Sequence, residues 1–390
     1  VSDPKELSWD EARGNASLVM SPLHFEKVAL AQSLNRTLAK DCVALVDLPT
    51  YTTSSMDGWA VCGEAPWKII GDVKAGQPFP HELTEGTAVR IATGAVIPQG
   101  TFGVLRWERA ESVDNYVSGA VTRDLDIRPA GEECLQGQVL VSGGTKLSPA
   151  HIGLLAASGY DHIDVTAKPK IALLLLGDEL QLSGIPHGGK VRDSLGPQLP
   201  GWLIRLGAEV ISHEYVTDEL ETVIKAIRFA SQHADLVITT GGTADGPRDH
   251  IHAALGALNG TFVVDRVRSR PGHPMLLATI PHGSRSVPLL GLPGNPQSAI
   301  VGLMTLGAPV IKNLLGENDS PLEQVRTINE ISTPANFTRL VLGNLRDGHF
   351  EMGEHLGSAM LRGLAFSSGF AVADSGLTPA SGSVRWLPLP

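Results

Sequence analysis

Between residues 168 and 315 the chain alternates short apolar runs with amphipathic stretches, and this rhythm restricts the fold more than any other feature. Residues 171–176 are an unbroken apolar run of strand length. After it the pattern predicts a helix over 201–206, a strand over 209–215 and a long amphipathic helix over 219–232. A strand at 235–240, a helix at 249–258, a strand at 287–290 and a helix at 297–306 complete the series. Strands separated by helices do not form hairpins. They pair in parallel, with the helices crossing over the faces. The expectation is a parallel sheet covered on both sides.

Glycine turns stand at three expected strand ends: Leu176-Gly177-Asp178-Glu179-Leu180, Thr239-Thr240-Gly241-Gly242-Thr243 and Gly291-Leu292-Pro293-Gly294-Asn295-Pro296. In an open parallel sheet, ligands bind outside the carboxyl ends of the strands. Glycine lets the backbone approach a ligand there, and amides at a helix start favour anions. One such turn is ordinarily a connection, but three in one domain predict a binding crevice. No GxxxxGK[ST] occurs (Ser142-Gly143-Gly144-Thr145-Lys146 lacks the spacing), and no GxGxxG opens a βαβ unit. Ordinary ATPases and dehydrogenases are therefore disfavoured. Asp178, Glu179, Asp245 and Asp249 flank the turns as hard oxygen donors suited to Mg²⁺ beside a phosphate. Asp249 equally suits a cap on the helix expected after it. His250 and His252 are two apart and would not share a helix face, so no zinc pair is expected.

The flanks differ in character. Residues 5–40 read as helical, with apolar positions at Leu18, Val28, Ala29, Leu34 and Leu38 and a break at Pro22. Residues 43–137 alternate short apolar stretches with Gly and Pro turns, the pattern of a compact β domain. Ser148 opens a helix over 148–158, and residues from 316 onward return to short β-like stretches. With 390 residues and 42% hydrophobic content, two to four domains are expected. The net charge of −10 argues against sequence-independent nucleic-acid binding, which needs a basic surface. Cys42, Cys62 and Cys134 form no CxxC pair, which favours a reducing cytoplasm. The polar N-terminal residues are unlike a signal peptide, and no apolar run is long enough to predict a membrane span.

The β segment holds Ser54-Ser55-Met56-Asp57-Gly58-Trp59-Ala60 after Asp47-Leu48-Pro49. Alone, Asp57-Gly58 reads as a hairpin turn. Taken in order with the other elements, however, it resembles the MoeA/gephyrin E-domain family. The DxPxxxxSxMDGYA element corresponds to residues 47–60, with Trp59 for the usual Tyr. TGAxxPxG matches 93–100, and a GED-type turn matches 131–133. GDEL matches 177–180, ITTGG matches 238–242, a KPGKP-type turn matches 270–274, and GLPGNPxSA matches 291–299.

The resemblance implies a multidomain α/β and β protein. A central molybdopterin-binding-type three-layer α/β domain (1–18 and 168–315) is flanked by a linker or first domain (19–42 and 138–167), a second β-rich domain (43–137) and a C-terminal β domain (316–390). The subunit is expected to be elongated and L-shaped. It further implies a cytoplasmic homodimer whose cleft is shared between subunits. The implied activity is that of a molybdopterin molybdenumtransferase. Such an enzyme inserts molybdate into adenylylated molybdopterin with Mg²⁺ and can contact the adenylyltransferase that supplies the adenylate. Carried over residue by residue, Asp57, Asp249 and Glu133 are the catalytic candidates, and Glu179 and Asp249 the metal candidates. Thr93, Arg128, Gly241, Gly242, Thr243, Arg270, His273, Asn295, Arg339 and Ser358 are the substrate-binding candidates.

The departures from the family pattern are specific. Glu133 stands for an aspartate, Leu175 and Leu176 for a serine and a threonine, and Arg270 and His273 for two lysines. The family's Asp-Thr-Asn reads Asp193-Ser194-Leu195 here. Arg for Lys keeps charge but changes its shape, and His for Lys makes it pH-dependent. Two other functions follow from these features. A divergent paralogue could bind molybdopterin or its adenylate as a carrier without insertion. The competence-damage-inducible A family of nucleotide hydrolases shares the GDEL and TGG elements but not those at 54–60 and 291–296.

Overall fold

The computed structural model describes residues 6–244, 249–283, 285–317 and 321–390. Its central sheet has six strands in the order Glu209–Val216, Lys170–Leu176, Leu236–Thr240, Arg285–Leu292, Leu276–His282 and Thr261–Asp265. The first four are parallel, as the rhythm predicts. The last two pairings are antiparallel, with Leu276–His282 running opposite to its neighbours on both sides, which the sequence pattern did not anticipate. Leu276–His282 and Arg285–Leu292 follow each other too closely for a crossover helix, so they can only pair as neighbours in a hairpin.

Lys170–Leu176 is buried along nearly its whole length because both faces of the sheet are covered. Ile171, Leu173 and Leu175 pack with Trp9, Ala12, Leu199 and Leu203 on one side. Ala172, Leu174 and Leu176 pack with Val223, Ile227, Ile251 and Leu255 on the other. This two-residue alternation between cores is what an uninterrupted apolar run becomes in a central strand. The helix over Pro296–Leu315 is 20 residues long and apolar enough to cross a bilayer, but 89% of its apolar 18-residue window is buried inside the protein. It is a core helix. A π-helical turn at Leu303–Gly307 interrupts it, where Thr305 Oγ1 accepts from Trp9 Nε1 at 3.0 Å and the Met304 carbonyl from Arg13 at 2.7 Å.

The expected helix over residues 5–40 is confined to Trp9–Ala16, started by a Ser8–Glu11 capping box. Beyond it, Phe25–Ala29 is a strand paired with His162–Thr166. Leu18 is exposed at 81%. The partner strand is distant in sequence, so the short run carries no local signal of strand pairing and its apolar spacing reads as helical. Likewise, the segment after Gly177 is not helical. Leu180–Gln181 pairs with Val191–Arg192, and the next helix is Leu195–Arg205.

A second six-stranded sheet runs in the order Gly103–Arg106, Gly58–Cys62, Thr87–Ile91, Trp67–Val73, Tyr116–Ser118, Glu111–Val113. In the C-terminal part, Thr338–Arg346, His349–Met352, Glu323–Thr327, Ser383–Pro388 and Gly369–Ala373 follow one another, and the last pairs back onto the first. This closes a small barrel. Ser269–Arg270 is added to it from the central α/β region, and that junction builds the site.

Candidate functional site

Ser269 and Arg270 run parallel to Thr338 and Arg339, with Arg270 beside Arg339 in register. Neighbours in register share a face of the sheet, so both side chains are directed into one cavity of about 420 Å³. Its other walls come from His273, Asn295 and Ser358. Arg339 Nη1 donates to the Ser332 carbonyl at 2.7 Å, and the Arg270 guanidinium lies over the Phe337 ring at 5.1 Å. Among the described residues neither arginine has a carboxylate partner. Two guanidiniums without a carboxylate partner give this cavity a positive wall of the kind that suits an anion.

The opposite wall is pinned from below. Buried Gln297 donates its backbone N–H to the Ser358 carbonyl at 3.0 Å. Its side-chain nitrogen faces the Leu356 and Gly357 carbonyls, each at 2.8 Å. Asn295 Nδ2 reaches Ser358 Oγ at 3.4 Å. His273 also lines the cavity, but its Nε2 is hydrogen-bonded to the Glu6 carboxylate and its ring lies 5.8 Å from that of Phe337. The charge this turn offers a ligand therefore belongs to Arg270. His273 instead ties the N-terminal segment to the cavity wall.

The glycine turns meet beside this cavity. Gly241 and Gly242 have φ of +79° and +67°, a conformation side chains rarely adopt. The Gly241 N–H donates to the Leu292 carbonyl at 2.8 Å, and a Cβ on Gly294 would lie 3.8 Å from Gly241 Cα. Thr243 is buried at 3%, and its methyl group lies 2.9 Å from where a Gly291 Cβ would stand. It packs behind the turn, against Gly291. Leu175 and Leu176 are buried in the two cores, so these departures exchange polar groups for packing.

The acidic residues divide by role. The Asp178 and Asp218 carboxylates accept each other's backbone N–H, at 3.2 and 3.3 Å. The Glu179 carboxylate folds over Gly177, 2.9 Å from where a Cβ would stand, and makes no hydrogen bond to the described residues. Asp249 does not hold the N-cap position of the next helix. His250 holds the N-cap position of Ile251–Ala257, with no side-chain cap bond. Asp245 lies outside the described residues. Among the described residues, no three acidic, histidine or cysteine side chains form a ready metal cage. Mg²⁺ does not require one. It takes one or two carboxylates and completes its shell with water and substrate phosphates. Oxygen donors at the strand ends, of the kind Glu179 and Asp249 supply, fit that chemistry.

Asp193 did not figure among the candidate site residues. It is buried at 5%; its Oδ1 accepts the amides of Leu195 and Gly196 at 3.0 Å each, and its Oδ2 accepts the Tyr215 hydroxyl at 2.8 Å. Burial, and then the hydrogen bond to Asp193, push the Tyr215 hydroxyl up to about 12. The available signal was an aspartate two residues before a helix.

The remaining candidates lie outside this cavity. Asp57 Oδ1 accepts the Thr93 backbone N–H at 2.7 Å. Thr53–Ser54 pairs with Ile127–Arg128, and Gly94 N–H donates to the Ser54 carbonyl at 2.8 Å. Asp57-Gly58 is not a hairpin turn. Gly58 opens a strand so close to its neighbour that a Cβ would stand 1.9 Å from the Leu105 carbonyl oxygen. Arg128, Glu132 and Glu133 line a cavity of about 760 Å³, with Arg128 Nε 3.5 Å from Glu132. Nearby, Arg106 binds Asp126 at 2.6 and 2.7 Å and holds its carboxyl below the usual carboxylate range. The two cavities share no residue.

Comparison with known proteins identifies relatives of this chain. Residues 7–159 match the model of the MoeA N-terminal region (domain I and II), and residues 172–313 that of a probable molybdopterin binding domain. A molybdopterin molybdenumtransferase of Staphylococcus aureus is 31% identical over 329 residues, spanning 80% of this chain and 78% of its own. That of Bacillus subtilis is 32% identical over 345 residues, spanning 82% and 79%. The crystal structure of a molybdopterin biosynthesis MoeA protein from Pyrococcus horikoshii superposes over 99% of this chain and all of its own, with a TM-score of 0.84 at 21% identity. At that identity it attests the fold.

Proposed function

Since the chain belongs to the MoeA family, we propose that its anion cavity and glycine crevice serve the family's reaction. The chain is a molybdopterin molybdenumtransferase, an enzyme of molybdenum cofactor biosynthesis. The observation that carries the assignment of its site is the convergence of Arg270, His273, Asn295, Arg339 and Ser358, from segments far apart in sequence, around one cavity.

In this reading Arg270 and Arg339 hold molybdate, a dianion, while Asn295 and Ser358 orient its oxygens. Two guanidiniums supply charge-assisted hydrogen bonds in fixed directions. The Gly241-Gly242 and Gly294 backbones, unhindered by side chains, admit the molybdopterin and its phosphate beside it. The substrate arrives as the adenylate. Glu179 and Asp249 would hold Mg²⁺, which when bound neutralises charge on the phosphates as the adenylate is cleaved. Asp57 and Glu133 are carboxylates available to orient water for that cleavage. Glu133 lines the second cavity, and Asp57, bonded to the Thr93 amide, lies outside the first. A homodimer sharing its cleft between subunits would bring the two groups together. Exposed Met360, Leu361 and Phe366 are apolar surface consistent with association. Three free cysteines accord with a cytoplasmic, reducing setting.

The test is restoration of molybdoenzyme activity in a strain lacking its own insertase, with a turnover assay on the purified protein. Restoration together with turnover is expected. Tight molybdopterin binding with neither would identify a carrier and overturn the assignment.

A further inference from the structure

Trp107 differs from the other exposed residues in how it is held. Its side chain is 56% exposed, and one face lies flat on Trp59, ring centroids 4.5 Å apart and planes at 9°. Trp59 is itself buried at 3% and packed with Val61, Trp67, Ala88 and Leu105. A buried ring thus fixes the Trp107 plane and leaves its outer face to solvent. Single exposed apolar residues are ordinary. An indole already immobilised against another is a preformed surface, because little side-chain freedom remains to be lost on binding.

Three observations say what this surface takes. The Trp107 backbone N–H donates to the Asp57 carbonyl at 3.2 Å, so the platform and the Asp57–Thr93 contact are built on one another. Arg90 stands directly across from Trp59 in antiparallel register, hence on the same face of the sheet. It is exposed, with only a 4.0 Å contact to Asp72. Trp59 Nε1 is buried without a hydrogen-bond partner, a cost a phenyl ring would not carry. The contribution of that indole is therefore its broad flat face.

We propose that Trp107 is a stacking platform for a planar heteroaromatic ring of the substrate, purine or pterin, with Arg90 placed for an attached phosphate. This rests on the transferase reading and names the part of the substrate that would meet the Asp57 side of the site. Stacking of a base on an aromatic side chain typically accounts for roughly 5- to 150-fold in affinity.

The experiment is a fluorescence titration of the full chain with AMP and, separately, with neopterin. Wild type, Trp107→Leu, Trp107→Phe and Arg90→Gln are compared. At least one ligand should quench wild type, and the ligand that does so identifies the ring. Its affinity should fall roughly tenfold in Trp107→Leu and largely return in Trp107→Phe. Arg90→Gln should weaken AMP but not the unphosphorylated pterin. Equal affinity of wild type and Trp107→Leu, or no binding of either ligand to wild type, overturns the proposal. So does a loss of oligomer on Trp107→Leu, which would mean that a second copy covers this face. Wild-type turnover is measured separately. Its absence refutes the transferase reading, whereas turnover without ligand stacking refutes only the platform.

Discussion

Replacing Arg339 with Gln should weaken oxyanion binding by a factor that follows from its surroundings. Arg339 is half-buried and held by a 2.7 Å hydrogen bond to the Ser332 carbonyl, so its guanidinium is already aimed before a ligand arrives. A hydrogen bond to a charged group contributes about 1.5–3 kcal/mol net, and each 1.4 kcal/mol or so is a factor of ten in affinity. Loss of the charge should therefore cost roughly 10- to 150-fold. The cavity is open to water, which screens the pair and favours the lower part of that range. Arg339→Lys, which keeps charge but not the planar fork, should lose less. Arg270→Gln should resemble Arg339→Gln, because the two side chains stand in register on one face. Calorimetric titration with molybdate or tungstate reads all of this directly. Arg346→Gln is the control, since Arg346 pairs with Glu351 outside this cavity. Unchanged affinity in a folded Arg339→Gln protein, or an equal loss in Arg346→Gln, would refute the anion site.

Asp57→Asn should abolish turnover yet leave the melting temperature nearly unchanged, because an amide oxygen can still accept the Thr93 N–H; near-normal turnover would remove Asp57 from the catalytic set. For Glu133, one methylene longer than the family's aspartate, Glu133→Gln should lower single-turnover insertion while Glu133→Asp raises it or leaves it unchanged. Silence in Glu133→Gln would make this an exposed turn residue. Tyr215 gives a pH prediction. Its hydroxyl is held protonated to about 12 in the fold against about 10 in an unfolded chain. Its contribution to stability is complete below about 10 and lost as pH rises through the folded value. Urea midpoints across that alkaline window should fall for wild type and fall less for Tyr215→Phe. Identical slopes would show that the Asp193 contact does not govern this ionisation.

How much of this was legible depended on where each signal was stored. The central strand could be read because burial on both faces leaves no polar residue in 171–176. The glycine turns could be read because positive φ at Gly241 and Gly242 admits few other residues. Phe25–Ala29 could not be read, since what makes it a strand is His162–Thr166, more than a hundred residues away. The two antiparallel strands were missed for a related reason. An apolar segment such as Leu276–His282 has the same composition whichever way its neighbour runs. At the site, motif order identified Arg270 and Asn295, and the residue-by-residue resemblance added Arg339 and Ser358, but only tertiary structure brings them to one cavity. Asp193 and Trp107 were not among the site candidates because their character lies in their partners, Tyr215 and Trp59.

The departures from the family pattern acquire a consistent physical meaning in this geometry. Where the family's turn has two lysines, this chain has Arg270 and His273. Counted from sequence alone, that change makes one of two charges conditional on pH. In the structure His273 is turned to Glu6, and Arg270 is paired in register with Arg339. The cavity therefore has two guanidiniums whose charge does not titrate in the physiological range, and the histidine holds a neighbouring segment instead. The leucines that replace Ser and Thr before Gly177 go the same way. Leu175 and Leu176 are exposed at only 1% and 6% and fill opposite cores, so hydroxyls there would have been buried polar groups needing partners. The leucines add packing beneath the Gly177 turn, while the charge on the cavity wall rests on Arg270 and Arg339. The proposed site thus keeps two cations on one face, and turnover, rather than binding alone, is the expected result of the complementation test.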